Sequence, residues 1–310
     1  MNKIDFGDCR DIMRRWAQDG VKAQTCVTSP PYYGLRDYGH DGQIGLEETP
    51  QEYIAAMVEV FQCVRDVLAD DGTVWLNIGD SYCNSNGFAR ASPEYQREGR
   101  NNMPANDRKL DKLHATGLKT KDLIGIPWML AFALRADGWY LRQDIIWHKS
   151  NPMPESVQDR CTKAHEYIFL LSKSQKYYFD ADAIKEESVS KSEGIRFGGN
   201  KYGDNDDPKY ATKSGNVSKE YERANKRSVW SVPVKPYGGA HFAVFPSDLI
   251  EPCILAGAPA GGIVLDPFMG SGTTAQVSHN LGRKYIGCEL NPDYKPLQDQ
   301  RLMQQALELM

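Results

Sequence analysis

The strongest constraint in the chain is Leu265-Asp266-Pro267-Phe268-Met269-Gly270-Ser271-Gly272-Thr273-Thr274, a glycine-rich stretch between a strand-like run and a helix-like run. Ile263-Val264-Leu265 is short and apolar and follows a turn at Gly261-Gly262. The residues after the glycines read as a helix to about Leu281. Lys284-Tyr285-Ile286-Gly287-Cys288 reads as the next strand, closed by Glu289. Strand, helix and strand in that order predict a β-α-β unit with parallel strands. A glycine-rich turn at such a place lets a ligand come close to the backbone at a helix N-terminus.

Different ligands use such turns. A phosphate-binding loop needs Gly-Lys-Ser/Thr, and Thr273 stands where the lysine belongs. A dinucleotide turn needs Gly-x-Gly-x-x-Gly. Gly270 and Gly272 fit it and Ala275 is an allowed third residue, but the signal alone is weak. Asp266 helps to decide. A carboxylate beside the glycines repels a pyrophosphate and suits a ligand that carries positive charge, as S-adenosylmethionine does on its sulfonium and ammonium groups. Glu289, at the end of the next strand, is placed to accept hydrogen bonds from two ribose hydroxyls. Without a ligand, both acids would simply cap helices.

Near the other end of the chain, Ala23-Gln24-Thr25-Cys26-Val27 is a short β-prone run that stops at Thr28-Ser29-Pro30-Pro31-Tyr32. Two prolines cannot continue a strand ladder, so the loop lies at a carboxyl edge of the sheet, where α/β ligands bind. The prolines stiffen the loop and expose carbonyls that cannot all be satisfied internally. An amino group conjugated to an aromatic ring or a carbonyl is a poor nucleophile, because its lone pair is delocalised. Two acceptors on its N–H bonds, Ser29 Oγ and the Pro30 carbonyl, would pull the nitrogen toward sp³ and aim the lone pair at a methyl donor. Tyr32 offers a flat face for stacking. A base in such a pocket has to leave the duplex. Alone, Ser-Pro-Pro-Tyr is a turn; beside the Asp266 unit it is far more specific.

Apolar residues at helical spacing run from Gln51 to Ala69, and Asp71-Gly72 ends that helix. Strands are expected at Thr73–Ile78, Tyr140–His148 and Tyr167–Leu171. Helices are expected from Ile126 to Ala136, opened by Pro127, and from an N-cap at Ser247 to Ala256. Alternating strands and helices imply a parallel sheet covered on both faces. Two segments break the pattern. Residues 84–120 and 186–228 are rich in Asn, Gly, Ser, Lys, Arg and Tyr and poor in Leu, Ile and Val, so they build little core. Long polar loops of that kind are usually functional or ordered by a partner.

The two hallmarks together resemble the amino-methylating DNA methyltransferases, which act on cytosine N4 or adenine N6. That family carries (Asp/Asn/Ser)-Pro-Pro-Tyr and Asp-Pro-Phe-x-Gly-Ser-Gly-Thr-Thr. Here the catalytic motif comes first and the cofactor motif last, an order similar to the family's permuted β group. Ile4-Asp5-Phe6-Gly7-Asp8-Cys9 resembles the family's opening, in which the acidic residue, here Asp8, lies near the cofactor adenine. Asp144 to Pro152 and His165-Glu166 resemble its later sheet motifs. His241 to Leu249, with Phe245, resembles the segment that packs over the methionine end.

The resemblance implies an α/β class I S-adenosylmethionine-dependent methyltransferase fold: a circularly permuted, seven-stranded, mostly parallel sheet with helices on both faces and inserted recognition loops. It implies Ser29, Pro30, Pro31 and Tyr32 as catalytic loop. It implies Asp8, Phe245, Asp266, Pro267, Phe268, Gly270, Ser271, Gly272, Thr273 and Glu289 around S-adenosyl-L-methionine. It divides the chain into a catalytic half (1–83), a basic DNA-clamping loop (84–120), further core (121–185), a target recognition region (186–228) and a cofactor-binding half (229–310). Ser29 in the first motif position favours cytosine N4 over adenine N6. RNA and protein-glutamine methyltransferases usually show Asn-Pro-Pro-Tyr and the unpermuted order. A DNA-binding subunit with a dead site is disfavoured by two intact motifs, and Pro252-Cys253 reads as helix packing rather than as a carbon-5 nucleophile.

Composition agrees. The 310 residues, 41% hydrophobic, suffice for one large α/β domain with insertions or two modest ones. The formal net charge of −4 argues mildly against nucleic acid, but local charge decides. Between Asn84 and Lys121 eight Lys/Arg face four Asp/Glu, and between Lys185 and Ser228 ten face eight. Basic residues interleaved with Asn and Tyr suit phosphate contacts and base-edge readout of double-stranded DNA. Seven dispersed cysteines without a Cys-x-x-Cys pair fit buried thiols, and no metal is expected. The charged N-terminus and the lack of a membrane-length apolar run suggest a cytoplasmic protein. A cognate restriction endonuclease is an allowed partner. Monomer and homodimer stay equally open.

Overall fold

The structure, a computed structural model, describes residues 1–83, 116–188, 223–235 and 245–308, with side chains to 303. Most of the expected clamping loop and recognition region, and residues 241–244, lie outside these. β1 (Lys3–Phe6) leads through Gly7 into α1 (Cys9–Gln18), whose N-cap Asp8 accepts the Arg10 N–H at 2.8 Å. β2 (Ala23–Thr28) runs into the Ser-Pro-Pro turn. α2 (Pro50–Val67) opens with a capping box. Thr49 Oγ1 accepts the Glu52 N–H at 3.2 Å, and Glu52 Oε2 accepts the Thr49 N–H at 3.0 Å. Its buried Tyr53, Met57, Val60, Phe61, Val64 and Val67 recur three and four residues apart and form one apolar stripe.

α2 stops at Val67, earlier than the periodicity suggests. Leu68 already pairs with Ala23 as the first residue of β3 (Leu68–Ile78), and Asp71-Gly72 falls in the irregularity before the Thr25–Thr73 pair. α3 (Ile126–Ala136) starts after Gly125, whose φ of 85° belongs to the left-handed region. The N–H groups of Gly125 and Ile126 donate to Asp80. β4 (Tyr140–His148) and β5 (His165–Ser172) follow. The two-residue strands β6 (Glu186–Glu187) and β7 (Arg223–Ala224) pair antiparallel, so the flanks of 189–222 are held side by side. Then come β8 (Val229–Ser231), α4 (Ser247–Gly257), β9 (Ile263–Asp266), α5 (Thr273–Asn280), β10 (Lys284–Glu289) and α6 (Lys295–Glu308). Ser247 is the first residue of α4 rather than its cap. Pro246 caps it without a side-chain bond, because proline pre-sets an extended entry. α1 and α6 add to the elements expected from the sequence.

The main sheet has eight strands in the order β1-β10-β9-β2-β3-β5-β4-β8. Neighbours are parallel except at β5, which is antiparallel to both β3 and β4. The expected seven-stranded, mostly parallel sheet is present, with three-residue β8 added at one edge. Its permutation is visible in β1 against β10. Strands from opposite ends of the chain pair in register, Lys3 with Ile286 and Phe6 with Glu289. Helices cover both faces. One core gathers Met57, Phe61, Leu130 and Leu134 from α2 and α3 with Ile12 and Met13 from α1. The other gathers Leu249, Cys253 and Ile254 from α4 and Val277 from α5 around Trp75 and Trp230. Cys253 is thus core packing, as its place in a helix implies.

β2 and β9 lie side by side at the centre. From β9 the chain winds outward through β10, and from β2 it winds the other way through β3. The order therefore reverses between them. At such a switch point the loops beyond the strand ends part and leave a crevice.

Candidate active site

Both sequence hallmarks open at this crevice, because β2 ends in Thr28 and β9 ends in Asp266. The two ends are joined. Asp266, 1% exposed, accepts the Thr28 hydroxyl at 2.6 Å and the Phe268 N–H at 3.0 Å on Oδ1, and the Thr274 hydroxyl at 2.6 Å on Oδ2. Burial raises its carboxyl to about 6, and the three donors oppose that rise. The carboxylate expected to face a ligand's positive charge is also engaged by the protein itself. Both oxygens point at the protein's own donors, since an unpaired buried carboxylate would be too costly. Asp266 still lines the cleft, but its strongest visible work is to hold the two loops together.

The cleft measures about 460 Å³, a size usual for small-molecule sites. On its β9–β10 side, Glu289 is 8% exposed and accepts the Gly270 N–H at 2.7 Å and the Asn291 N–H at 2.8 Å, one on each oxygen. Each oxygen keeps a second lone pair. Burial raises Glu289 to about 7. Ser271 Oγ is buried in the same wall and has no hydrogen-bond partner among the described residues. Asp8 reaches the cleft from the start of α1. The Arg10 guanidinium, 2.6 Å away, holds its carboxyl below the ordinary aspartate value. Phe245 closes the side toward α4, packed against the second core.

On the opposite side stands the Ser-Pro-Pro-Tyr loop. The Tyr53 hydroxyl donates to the Pro31 carbonyl at 2.9 Å, so α2 pins the loop from beneath. Among the described residues the Pro30 carbonyl accepts no hydrogen bond. The Tyr32 hydroxyl donates to Glu166 Oε2 at 2.6 Å, and Glu166 Oε1 also receives Lys149 Nζ. Burial first, and the Glu166 charge next, push the Tyr32 phenol well above the ordinary tyrosine range, so it is a neutral donor. Gly79 leaves room for this ring: a Cβ there would lie 2.7 Å from Tyr32 Cε2.

The structure thus brings Asp8, Ser29, Pro30, Pro31, Tyr32, Phe245, Asp266, Pro267, Phe268, Gly270, Ser271, Thr273 and Glu289 to one cleft. Gly272 is the exception. It sits behind the wall at φ 86° as the N-cap of α5, where it gives the turn its shape. Three functional features escape the sequence. Lys149 and Glu166 were visible only as motif members without a role. The Thr28 tie had no local signal. α6 supports the cofactor loop, with Gln298 Nε2 donating to the Gly270 carbonyl at 2.7 Å and Arg301 Nη1 donating to Thr273 Oγ1 at 2.5 Å; nothing in its sequence announces this. Among the described residues, no helix is long and apolar enough to cross a membrane.

Sheet order, the reversed β5 and a cleft at the switch point define the class I methyltransferase fold. PvuII DNA methyltransferase (cytosine-N4-specific) superposes with a TM-score of 0.60 at 17% identity, over 96% of this chain and 85% of that one. M1.HpyAVI in complex with SAM gives 0.51 at 18%, over 97% and 100%. Residues 23–300 match the model of the N6/N4 DNA methylase family, and the chain belongs to that family. Its relatives include the type II methyltransferases M.Cfr9I of Citrobacter freundii, 46% identical over 296 residues (96% of this chain, 86% of the relative), and M.SmaI of Serratia marcescens, 46% identical over 303 residues (97% and 90%).

Proposed function

We propose that this DNA methylase transfers a methyl group from S-adenosylmethionine to the exocyclic amino group of a base flipped out of double-stranded DNA, cytosine N4 before adenine N6. The observation that carries the reading is the Pro30 carbonyl beside Ser29, which accepts no hydrogen bond among the described residues, in the cleft that also holds Glu289 and Ser271 Oγ, itself without a partner among them. When bound, the cofactor supplies an electrophilic methyl group on a sulfonium. The residues present fit it. Glu289 keeps lone pairs for the ribose hydroxyls, Ser271 offers an unused hydroxyl, and Asp8 and Phe245 flank the remaining length of the cleft. Ser29 Oγ and the Pro30 carbonyl accept the two N–H bonds of the target amino group and direct its lone pair into the cleft. Tyr32 provides a fixed wall for the base.

Serine at the head of the loop supports cytosine, and the PvuII enzyme of the same fold is named as cytosine-N4-specific. RNA and protein-glutamine methylation are disfavoured by the type II relatives, which also make a cognate restriction endonuclease the expected companion. The segment 84–120 would clamp DNA and 186–228 would read its sequence. The test is to incubate unmethylated duplex DNA with the protein and S-adenosylmethionine, digest it to nucleosides and weigh them. N4-methyldeoxycytidine is expected. N6-methyldeoxyadenosine would transfer the assignment to adenine, and an unmodified digest would refute the reading.

A further inference from the structure

We infer that Glu166 and Lys149 are positioning residues that fix the ring of Tyr32 through its hydroxyl. The inference rests on the methyl-transfer reading above and adds residues outside both hallmark motifs.

The topology explains why these residues meet. β5 is antiparallel to both its neighbours, so its first residues lie at the edge where β2, β3 and β4 end. Glu166 is the second residue of β5 and pairs with Trp147 of β4. Lys149 follows β4 directly and is tied down by its N–H to the Ala164 carbonyl at 2.8 Å. One strand reversal therefore delivers a carboxylate and an ammonium to the cleft beside the catalytic loop.

The bonds form a chain. The Tyr32 hydroxyl donates to Glu166 Oε2 at 2.6 Å, and Lys149 Nζ lies 2.5 Å from Oε1. Asn77 Nδ2 approaches Oε2 at 3.4 Å while donating to the Tyr167 carbonyl at 3.1 Å. Lys149 Nζ also stands 4.7 Å from the centre of the Trp147 ring. The two charged side chains are only 21% and 13% exposed. Hydrogen bonds to ionised groups are short and strong when water is largely excluded. Lys149 pairs with one oxygen of the Glu166 carboxylate, and the other oxygen holds the phenol.

The backbone fixes one end of Tyr32; at the other, Glu166 makes the short bond, with Asn77 Oδ1 at 3.4 Å and the Ser29 side chain also on the hydroxyl. Gly79 admits the ring on one face. With its hydroxyl released, the ring could tilt about its two side-chain torsions, and a base stacked on it would no longer meet Ser29 and Pro30 in register. Holding such a wall in advance lowers the cost of orienting the base. The loss on removal falls on transfer rather than on cofactor binding.

The test is a double-mutant cycle in the full-length enzyme. Single-turnover transfer from tritiated S-adenosylmethionine to unmethylated duplex DNA is measured for wild type, Tyr32→Phe, Glu166→Gln and the double variant, with cofactor affinity measured by calorimetry on the same preparations. Each single change is expected to slow transfer about tenfold or more and to leave cofactor affinity within about twofold. The double variant is expected to be no slower than the worse single one. Losses that multiply, Glu166→Gln turnover equal to wild type, or an equal loss of cofactor affinity would each overturn the inference. Should Glu166→Gln fail to fold, Lys149→Met replaces it in the same cycle with the same criteria. Ser29→Ala runs alongside: normal turnover in that variant would refute the methyl-transfer reading itself, separately from the coupling.

Discussion

Thr28 donates its hydroxyl hydrogen to Asp266 at 2.6 Å, joining residues 238 positions apart. The bond spans β2 and β9, the strands between which the winding of the sheet reverses. One residue after Thr28 the Ser-Pro-Pro-Tyr loop begins, and directly after Asp266 the glycine-rich loop begins. This buried contact therefore adds to the β2–β9 pairing in holding the two loops side by side. This also explains how a permuted chain keeps one active site: the halves are joined by side chains and sheet register, not by sequence proximity.

Thr28→Val keeps the shape of the side chain and removes the donor. Asp266 then keeps two of its three donors while remaining buried. A hydrogen bond to a charged group contributes about 1.5–3 kcal/mol, and the variant is expected to lose that much in urea unfolding. A loss below about 0.5 kcal/mol would mean that the tie does not hold the loops.

Glu289 gives the site a pH dependence. Burial raises its carboxyl to about 7. Ribose hydroxyls donate better to the ionised form, so cofactor binding favours deprotonation. Affinity should therefore rise as pH climbs through about 7, and should fall below it by at most about tenfold per pH unit. Glu289→Gln should bind more weakly and lose this dependence. Calorimetric titrations from about pH 6 to pH 8 check it; parallel profiles for wild type and variant would take Glu289 out of the ribose site.

Much of this was legible because local and global signals agree. The Asp266–Thr274 turn has glycines where a left-handed turn is needed and apolar strands on either side. The Pro30-Pro31 pair forces a strand to end. Other features had no local signature. Nothing near Thr28 says that its partner is Asp266. Glu166 reaches the site only because β5 is reversed, which single-strand patterning does not encode. Ser247 looks like a cap, yet Pro246 takes that place. Gly272 sits among site residues in sequence but shapes the turn behind them.

Gly79→Ala tests the fit around Tyr32. The added methyl group would lie 2.7 Å from Cε2, so the ring or the strand end has to move. Methyl transfer is expected to drop about tenfold or more while cofactor affinity holds, as measured by single turnover and calorimetry. Wild-type turnover would show that the ring position is not critical.

Residues 189–222 can be excised, because β6 and β7 place Glu187 opposite Arg223. A short Gly-Ser link across that pair should leave the fold and cofactor binding intact and abolish selective methylation, read by sequencing the modified DNA. Retained selectivity for the same sites would put target recognition elsewhere.

The central claim is that Ser29 and the Pro30 carbonyl activate the target amino group in a site whose cofactor is held by other residues. The most direct measurement compares wild type with Ser29→Ala in methyl transfer to DNA, with S-adenosylmethionine affinity determined on the same samples. Transfer is expected to fall by about 100-fold or more, in the range of losing a positioned catalytic group, with cofactor affinity unchanged. Transfer at the wild-type rate, or a loss matched by weakened cofactor binding, would contradict it.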